Sequence, residues 1–311
     1  MNTRFLETLI TLAQLRSVRA TARAMHATPA AISLRIKALE EELQTELIDR
    51  STREFRLTPN ADYLLNHAKA VVDATRRLRE AARTDSAVRG RLRLGVIETV
   101  VHSWLAHSVR QLNASFPELE IDLVVDMSTT LEKRLLAGEL DLVVGIEGVN
   151  NGQITSEPLA VYPVRWIARE GLLAPQREGL AQRLLQFPIL TFGRGTAPHR
   201  MLEDIVTRLA SLSGVPLEQA RITCSPSVAA IIQLIRNGFG VAAIPWLFVS
   251  SHLENGEFVE VPLQPVPPPI IVSMSRCTNA AVAVHAAASA VRAACAEYCA
   301  QVDERYIESL G

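Results

Sequence analysis

The stretch TARAMHATPAAISLRIKALEEEL, residues 21–43, decides how the first part of the chain folds. Its alanines keep one short helix slim, the run His26-Ala-Thr-Pro29 interrupts it, and a strongly helical pattern then resumes. Thr28 is placed to cap the second helix, and Pro29 stands at the first helical position, where a missing N–H does no harm. Ile32, Ile36, Leu39 and Leu43 recur at helical spacing and face inward, which turns Ser33, Arg35 and Lys37 outward. The interruption is therefore a tight turn, and the helix after it carries a polar outer face. Upstream, Phe5, Leu6, Leu9, Ile10, Leu12 and Ala13 form one face of a helix over 3–15, and Ser17 can cap the next, running to about Met25.

Downstream, ELIDRSTREFRLTPN (46–60) has an apolar pair, an arginine-bearing polar tip and the alternating FRLT, a pattern that predicts a two-stranded wing. Thr58-Pro59 opens a helix over 59–83 with Leu64, Leu65, Ala68, Val71, Val72, Thr75 and Leu78 in a stripe. A solitary helix of that length needs a partner for the stripe, and a second copy of the chain is the economical one. A polar connector, TDSAVRG (84–90), follows, and from Arg91 strands alternate with helices: RLRLGVI, a helix over about 100–115, EIDLVVDM, a helix over about 129–137, and DLVVGI. This is a βαβαβ pattern with a largely parallel sheet. The segments 121–146 and 221–245 repeat one order of strand, hydroxyl-rich turn, helix, glycine stop and strand, with Gly138 and Gly238 at the helix ends. Two α/β lobes follow from this, about 91–160 with 270–300 and about 161–269, the chain crossing in PLAVYPVRWIAR and returning in PPPIIVSMS.

With 311 residues, 48% of them hydrophobic and 21% charged, the chain can bury two or three cores, and no segment has the uninterrupted apolar run of a membrane span. The N-terminus carries a glutamate inside a helical pattern, which argues against an export signal and for a cytoplasmic protein. The net charge of −1 hides an asymmetry: residues 1–90 hold 15 Lys and Arg against 11 Asp and Glu, the remainder 17 against 22. The basic excess is N-terminal, where a nucleic acid would bind. Cys224, Cys277, Cys295 and Cys299 show no CxxC pair and no zinc spacing with histidines, so neither a disulfide framework nor a metal is expected. Enzyme signatures (GxSxG, HExxH, a Walker loop, GxGxxG after a strand) are absent, and His102, His107, His199 and His285 show no companion acid at a telling spacing. No cofactor and no catalytic residue is expected.

Ser17 with Ala22 and Met25, ATPAAIS..I..LE..L over 27–43, and LIDR and LTP over 47–59 resemble the winged helix-turn-helix of LysR-type transcriptional regulators. The linker helix and two-lobed remainder are similar too, so the resemblance spans essentially the whole chain. It implies an all-α winged helix-turn-helix over 1–58, a linker and dimerisation helix over 59–83, a hinge over 84–90, and a periplasmic-binding-protein-like α/β effector domain over 91–311. It implies a sequence-specific DNA-binding regulator acting on an inverted-repeat promoter site in double-stranded DNA, dimeric or tetrameric, controlled by a small-molecule effector, with RNA polymerase as a further contact. Four positions depart from the family pattern: Thr21 stands for an alanine, Gln44 for the glycine that ends the recognition helix, Ile48 for a phenylalanine, and Ala61 for a glycine.

The candidate DNA contacts are Thr28, Pro29, Ala30, Ser33, Leu34, Arg35 and Lys37 on the recognition helix, because a helix enters the major groove with a polar outer face and its near end at the base edges. Arg50, Arg53 and Arg56 are candidates for phosphate or minor-groove contact, with a structural salt bridge as the alternative for Arg50. In the α/β half, the cleft at strand ends and helix N-termini is the expected effector site. Glu98, Thr99 and Val100, Ser128 and Thr129, Phe192, Gly193 and Thr196, and Ser225 converge there, with simple helix capping as the alternative for each hydroxyl. A Glu98 carboxylate facing the cleft would favour an amine-bearing or cationic effector; a solvated one would not. Arg221 could favour a Cys224 thiolate, although no second cysteine lies near it in sequence. The competing reading of the chain is an α/β small-molecule binding or catalytic protein whose N-terminal helices serve only assembly.

Overall fold

The computed structural model describes residues 2–49, 55–81, 90–146, 148, 150, 152–174, 176 and 178–311. The chain forms two compact units, one of residues 1–86 with 137–139 and one of the remainder. Arg50, Arg53 and most of the 84–90 connector lie outside the described residues.

In the N-terminal unit, α1 (Thr3–Leu15), α2 (Val18–Ala24) and α3 (Pro29–Leu43) are each started by a side-chain cap: Arg4, Ala20 and Ala31 donate their N–H groups to Asn2, Ser17 and Thr28. Between α2 and α3 the chain reverses through His26, whose φ is 48°, and the Ala27 N–H donates to Ala22 O at 2.8 Å. Thr21, where the family pattern has alanine, is fully buried and donates its hydroxyl to Ser17 O at 2.9 Å, so the departure is internally satisfied. The strands β1 (Ile48–Asp49) and β2 (Arg56–Leu57) pair antiparallel as the wing. Helix α4 (Pro59–Ala81) is capped by Thr58, which also donates its hydroxyl to Glu46 O. Leu6, Leu9, Leu12, Ile36, Leu39, Leu47, Ala61 and Ala68 make the core, so the Ala61 methyl is a core group. Leu64, Leu65 and Val72 pack on this core against α1, whereas Val71 and Leu78 are exposed. The α4 stripe is therefore partly covered by its own chain.

The second unit contains two sheets of related design. The first holds β3 (Gly90–Val96), β4 (Leu119–Val125), β5 (Leu142–Ile146), β6 (Ile154–Tyr162), β12 (Ile270–Cys277) and β13 (Glu308–Ser309) in the order β13-β6-β12-β5-β3-β4. The second holds β7 (Val164–Arg169), β8 (Ile189–Thr191), β9 (Ile222–Cys224), β10 (Val241–Pro245) and β11 (Phe258–Glu260) in the order β11-β7-β10-β8-β9. The parallel runs β4-β3-β5 and β9-β8-β10 correspond, and each is extended by one antiparallel strand, β12 or β7. Those two strands belong to the chain's return and outward crossings, which ties the lobes together at one side. The matching helices α7 (Ser128–Leu136) and α10 (Val228–Arg236) end near Gly138 and Gly238, both at φ 70°, as their glycine stops require.

Helices α8 (Leu180–Leu184), α9 (Ala197–Ser213) and α11 (Ser250–Glu254) belong to the second lobe, and α12 (Val282–Gln301) packs on α6 (Leu105–Ser115) in the first. The single helix expected over about 100–115 is instead two, α5 (Glu98–Val101) and α6. The break lets the fully buried Trp104 enter the core, where its indole N–H donates to the Tyr162 hydroxyl at 2.8 Å and Ser103 Oγ lies 2.9 Å from the same oxygen.

Candidate DNA interface and effector cleft

Helix α3 is amphipathic in the sense a groove-binding helix requires. Ile32, Ile36 and Leu39 are buried, while Thr28, Pro29, Ala30, Ser33, Leu34 and Lys37 are exposed, Leu34 to 67%. Lys37 Nζ lies 3.8 Å from Glu41, a loose surface pair that leaves the ammonium accessible. Arg35 departs from expectation. It follows Leu34 on the border of the buried stripe, is half-buried, and its Nη1 has no hydrogen-bond partner among the described residues. It is not one of the outward-facing residues. In the wing, Arg56 is exposed on β2. A residue that spacing did not single out holds this region together: Glu40 is buried and its Oε1 accepts the N–H groups of Leu47 and Ile48 at 2.9 and 3.3 Å, fixing the wing on the end of α3.

In the α/β unit, Glu98 opens α5 in the first lobe and reaches the second. Its Oε2 accepts the Val228 N–H at 2.9 Å, its Oε1 accepts the Ser227 hydroxyl at 3.2 Å, and His102 Nε2 lies 3.3 Å from the same oxygen. The carboxylate thus sits on the N-terminus of α10, where backbone N–H groups and the helix dipole attract an anion. It neither faces an open cleft nor stands free in solvent, which corrects the expectation that it selects a cationic effector. The pairing of Glu98 with His102, and of Glu203 with His199 at 3.5 Å, also corrects the statement that the histidines lack acid companions; both pairs are four apart on a helix.

The other candidates divide by use. Thr99 and Val100 are buried, Val100 wholly within the lobe core with its N–H donated to Ile97 O, so Val100 offers nothing to a ligand. Ser128 Oγ accepts the Ile146 N–H at 2.8 Å. Thr129 is exposed. Thr196 caps α9 and donates to Gly193 O at 2.8 Å. Ser225 closes a turn with Ser227 in both directions. A Cβ on Gly193 would lie 2.9 Å from Met127 Sδ of the first lobe, so the absence of a side chain there lets the lobes approach. Capping therefore accounts for Thr196, a local turn engages Ser225, and a strand N–H distant in sequence engages Ser128.

Phe192 lines something different, an apolar cavity of about 260 Å³ bounded by Ile146, α9, Ala243 and the crossover residues 267–271. The run PPPII was read only as a returning strand, although its prolines, which lack N–H donors, were a signal for a dry wall. Cys224 is half-buried, and burial pushes its thiol up despite the nearby Arg194 guanidinium. The cation beside it is Arg194 and not the expected Arg221, and the net effect disfavours the thiolate. Cys295 and Cys299, four apart on α12, are buried.

Residues 3–62 match the bacterial regulatory helix-turn-helix protein family of lysR type, and residues 85–300 match the LysR substrate binding domain. The chain belongs to the LysR family of transcriptional regulators. It is 33% identical over 281 residues to the DNA-binding transcriptional dual regulator OxyR of Escherichia coli, covering 86% of this chain and 87% of that protein. Among solved structures, ArgP from Mycobacterium tuberculosis superposes with a TM-score of 0.70 at 22% identity, over 94% of this chain and 96% of that one. Full-length LysG from Corynebacterium glutamicum with bound effector Arg does so with a TM-score of 0.65 at 21% identity, over 96% and 99%. This LysR-type regulator thus combines a helix-turn-helix with an effector-binding domain, and among its described residues no helix is long and apolar enough to cross a membrane.

Proposed function

We propose that this LysR-type regulator binds an inverted pair of DNA half-sites as a dimer and is controlled by a small molecule held between its two α/β lobes. The observation that carries the DNA reading is the division of α3 into a buried Ile32, Ile36, Leu39 stripe and an exposed Thr28, Pro29, Ala30, Ser33, Leu34, Lys37 face. Ser33 and Lys37 read base edges or phosphates, the exposed Leu34 meets a thymine methyl, and Arg56, with Arg50 and Arg53 of the wing tip, holds phosphates. The exposed Val71 and Leu78 on α4 support a dimer along that helix, and the α/β unit is the surface for a tetramer. Its site of action is the cytoplasm, with RNA polymerase as a downstream partner, and it performs no catalysis.

The effector acts by binding one relative orientation of the lobes more tightly than the other, which is the only way a ligand can shift such an equilibrium. Genomic footprinting of the purified protein tests the reading: paired inverted sites support it, and no reproducible site at low salt returns the chain to the rival reading, a ligand-binding α/β protein with an assembly module.

A further inference from the structure

We infer that the effector is a neutral, largely apolar small molecule of about ten non-hydrogen atoms, seated in the cavity beside the crossover strands. The inference rests on the interlobe cleft being the effector site and adds the chemical class of its ligand. The cavity measures about 260 Å³. An apolar cavity of about 150 Å³ accommodates a benzene ring, and scaling from that gives the size stated.

Among the described residues facing the cavity none is charged, and Thr191 brings the one side-chain hydroxyl. An ammonium or carboxylate placed against the buried Phe192, Leu202, Ala243 and Pro267 would lose its hydration and gain no counter-charge. Three of the polar groups elsewhere in the cleft are already engaged. Glu98 already occupies the Val228 N–H and the Ser227 hydroxyl, Ser128 receives the Ile146 N–H, and Ser225 is closed on Ser227. The protein's own carboxylate thus fills the position at the start of α10 that an anionic ligand would seek. The walls come from both lobes, Ile146 and Ile270 from the first sheet and Thr191 and Ala243 from the second, so an occupant bears on their relative orientation. Met201, Pro268, Pro269 and Ile271, the more exposed members, form the rim.

Benzyl alcohol, benzoate and benzylamine are matched in size and differ in charge, which makes them suitable probes for the full-length protein. Ligand-observed NMR titration, with thermal unfolding as the second readout, is expected to give benzyl alcohol a Kd at least tenfold below those of the two ions and a raised Tm. Met201→Trp at the rim is expected to weaken benzyl alcohol at least tenfold, and Ala197→Leu, which narrows the cavity from the start of α9, to do the same. Benzoate or benzylamine binding as tightly as benzyl alcohol, and lost in Met201→Trp, overturns the neutral-ligand inference while leaving the cleft as the effector site. No binding by any of the three, or binding that both variants leave unchanged, overturns the cleft reading as well.

Discussion

At the scale of single residues, one departure from the family pattern, Gln44, carries a physical cost. Gln44 ends α3 in the left-handed region, at φ 51° and ψ 38°, with its N–H donated to Glu40 O. A side chain with a Cβ is strained there by about 1–2 kcal/mol, and glycine is not. Gln44→Gly is expected to stabilise the N-terminal unit by about 1 kcal/mol, read as an upward shift of its urea unfolding midpoint. The helix end at Gln44 was legible from the resemblance, in which Gln44 stands for the glycine that ends the recognition helix. The role of Glu40 was not: it stands first in a run of three glutamates, and its partners lie seven and eight residues on. Cys224 gives a second residue-scale expectation. A thiol raised by burial holds less thiolate at neutral pH, so iodoacetamide should label Cys224 more slowly than an unfolded-peptide thiol, with the gap closing as pH rises. Equal rates at pH 7, measured by peptide mass spectrometry, would contradict the burial argument.

At the scale of elements, two helices show how far periodicity carries. The α4 stripe was legible as a buried face, but periodicity does not say who buries it. Leu64, Leu65, Ala68 and Val72 pack within the N-terminal unit, and Leu78 remains 71% exposed. If a second copy covers it, Leu78→Glu should weaken the dimer by tenfold or more in sedimentation equilibrium while leaving the helix content of the chain unchanged. The start of α10 is the other case. Ser227 caps the helix from its own chain segment, yet the acceptor completing that terminus, Glu98, lies 129 residues away in the other lobe. Glu98→Ala removes the acceptor for the Val228 N–H, with an expected loss of about 0.5–2 kcal/mol. Hydrogen exchange should then rise in the first turn of α10 and in α5 together, since both lose the same contact. A rise confined to α5 would mean that the bridge does not hold the lobes.

At the scale of the whole molecule, charge and topology divide the labour. The basic excess lies in residues 1–90 and the acidic excess in the remainder, so nucleic acid and effector address different units. DNA affinity should fall steeply with salt, and Lys37→Ala should reduce the slope of log K against log salt by about 1, if the ammonium meets one phosphate, with no change in probe binding to the cleft. An unchanged slope would confine Lys37 to base readout or remove it from the interface. In the α/β unit, the chain passes to the second sheet at β7 and returns to the first at β12, and residues 267–271 of the return wall the apolar cavity.

What the sequence determined by itself was local: the caps at Ser17 and Thr28, the turn through His26, the wing, the glycine stops at Gly138 and Gly238, and the alternation that becomes two lobes. These depend on interactions within a few residues, which spacing records directly. Only the tertiary structure decided which polar groups are already satisfied. Glu98, Ser128 and Ser225 have the residue types of a polar ligand site, but partners distant in sequence or hidden in a turn engage them first. The cleft that looked hydroxyl-rich along the chain is apolar where it has room, because packing brings Phe192, the 267–269 prolines and Ile146 together and no local pattern encodes that meeting.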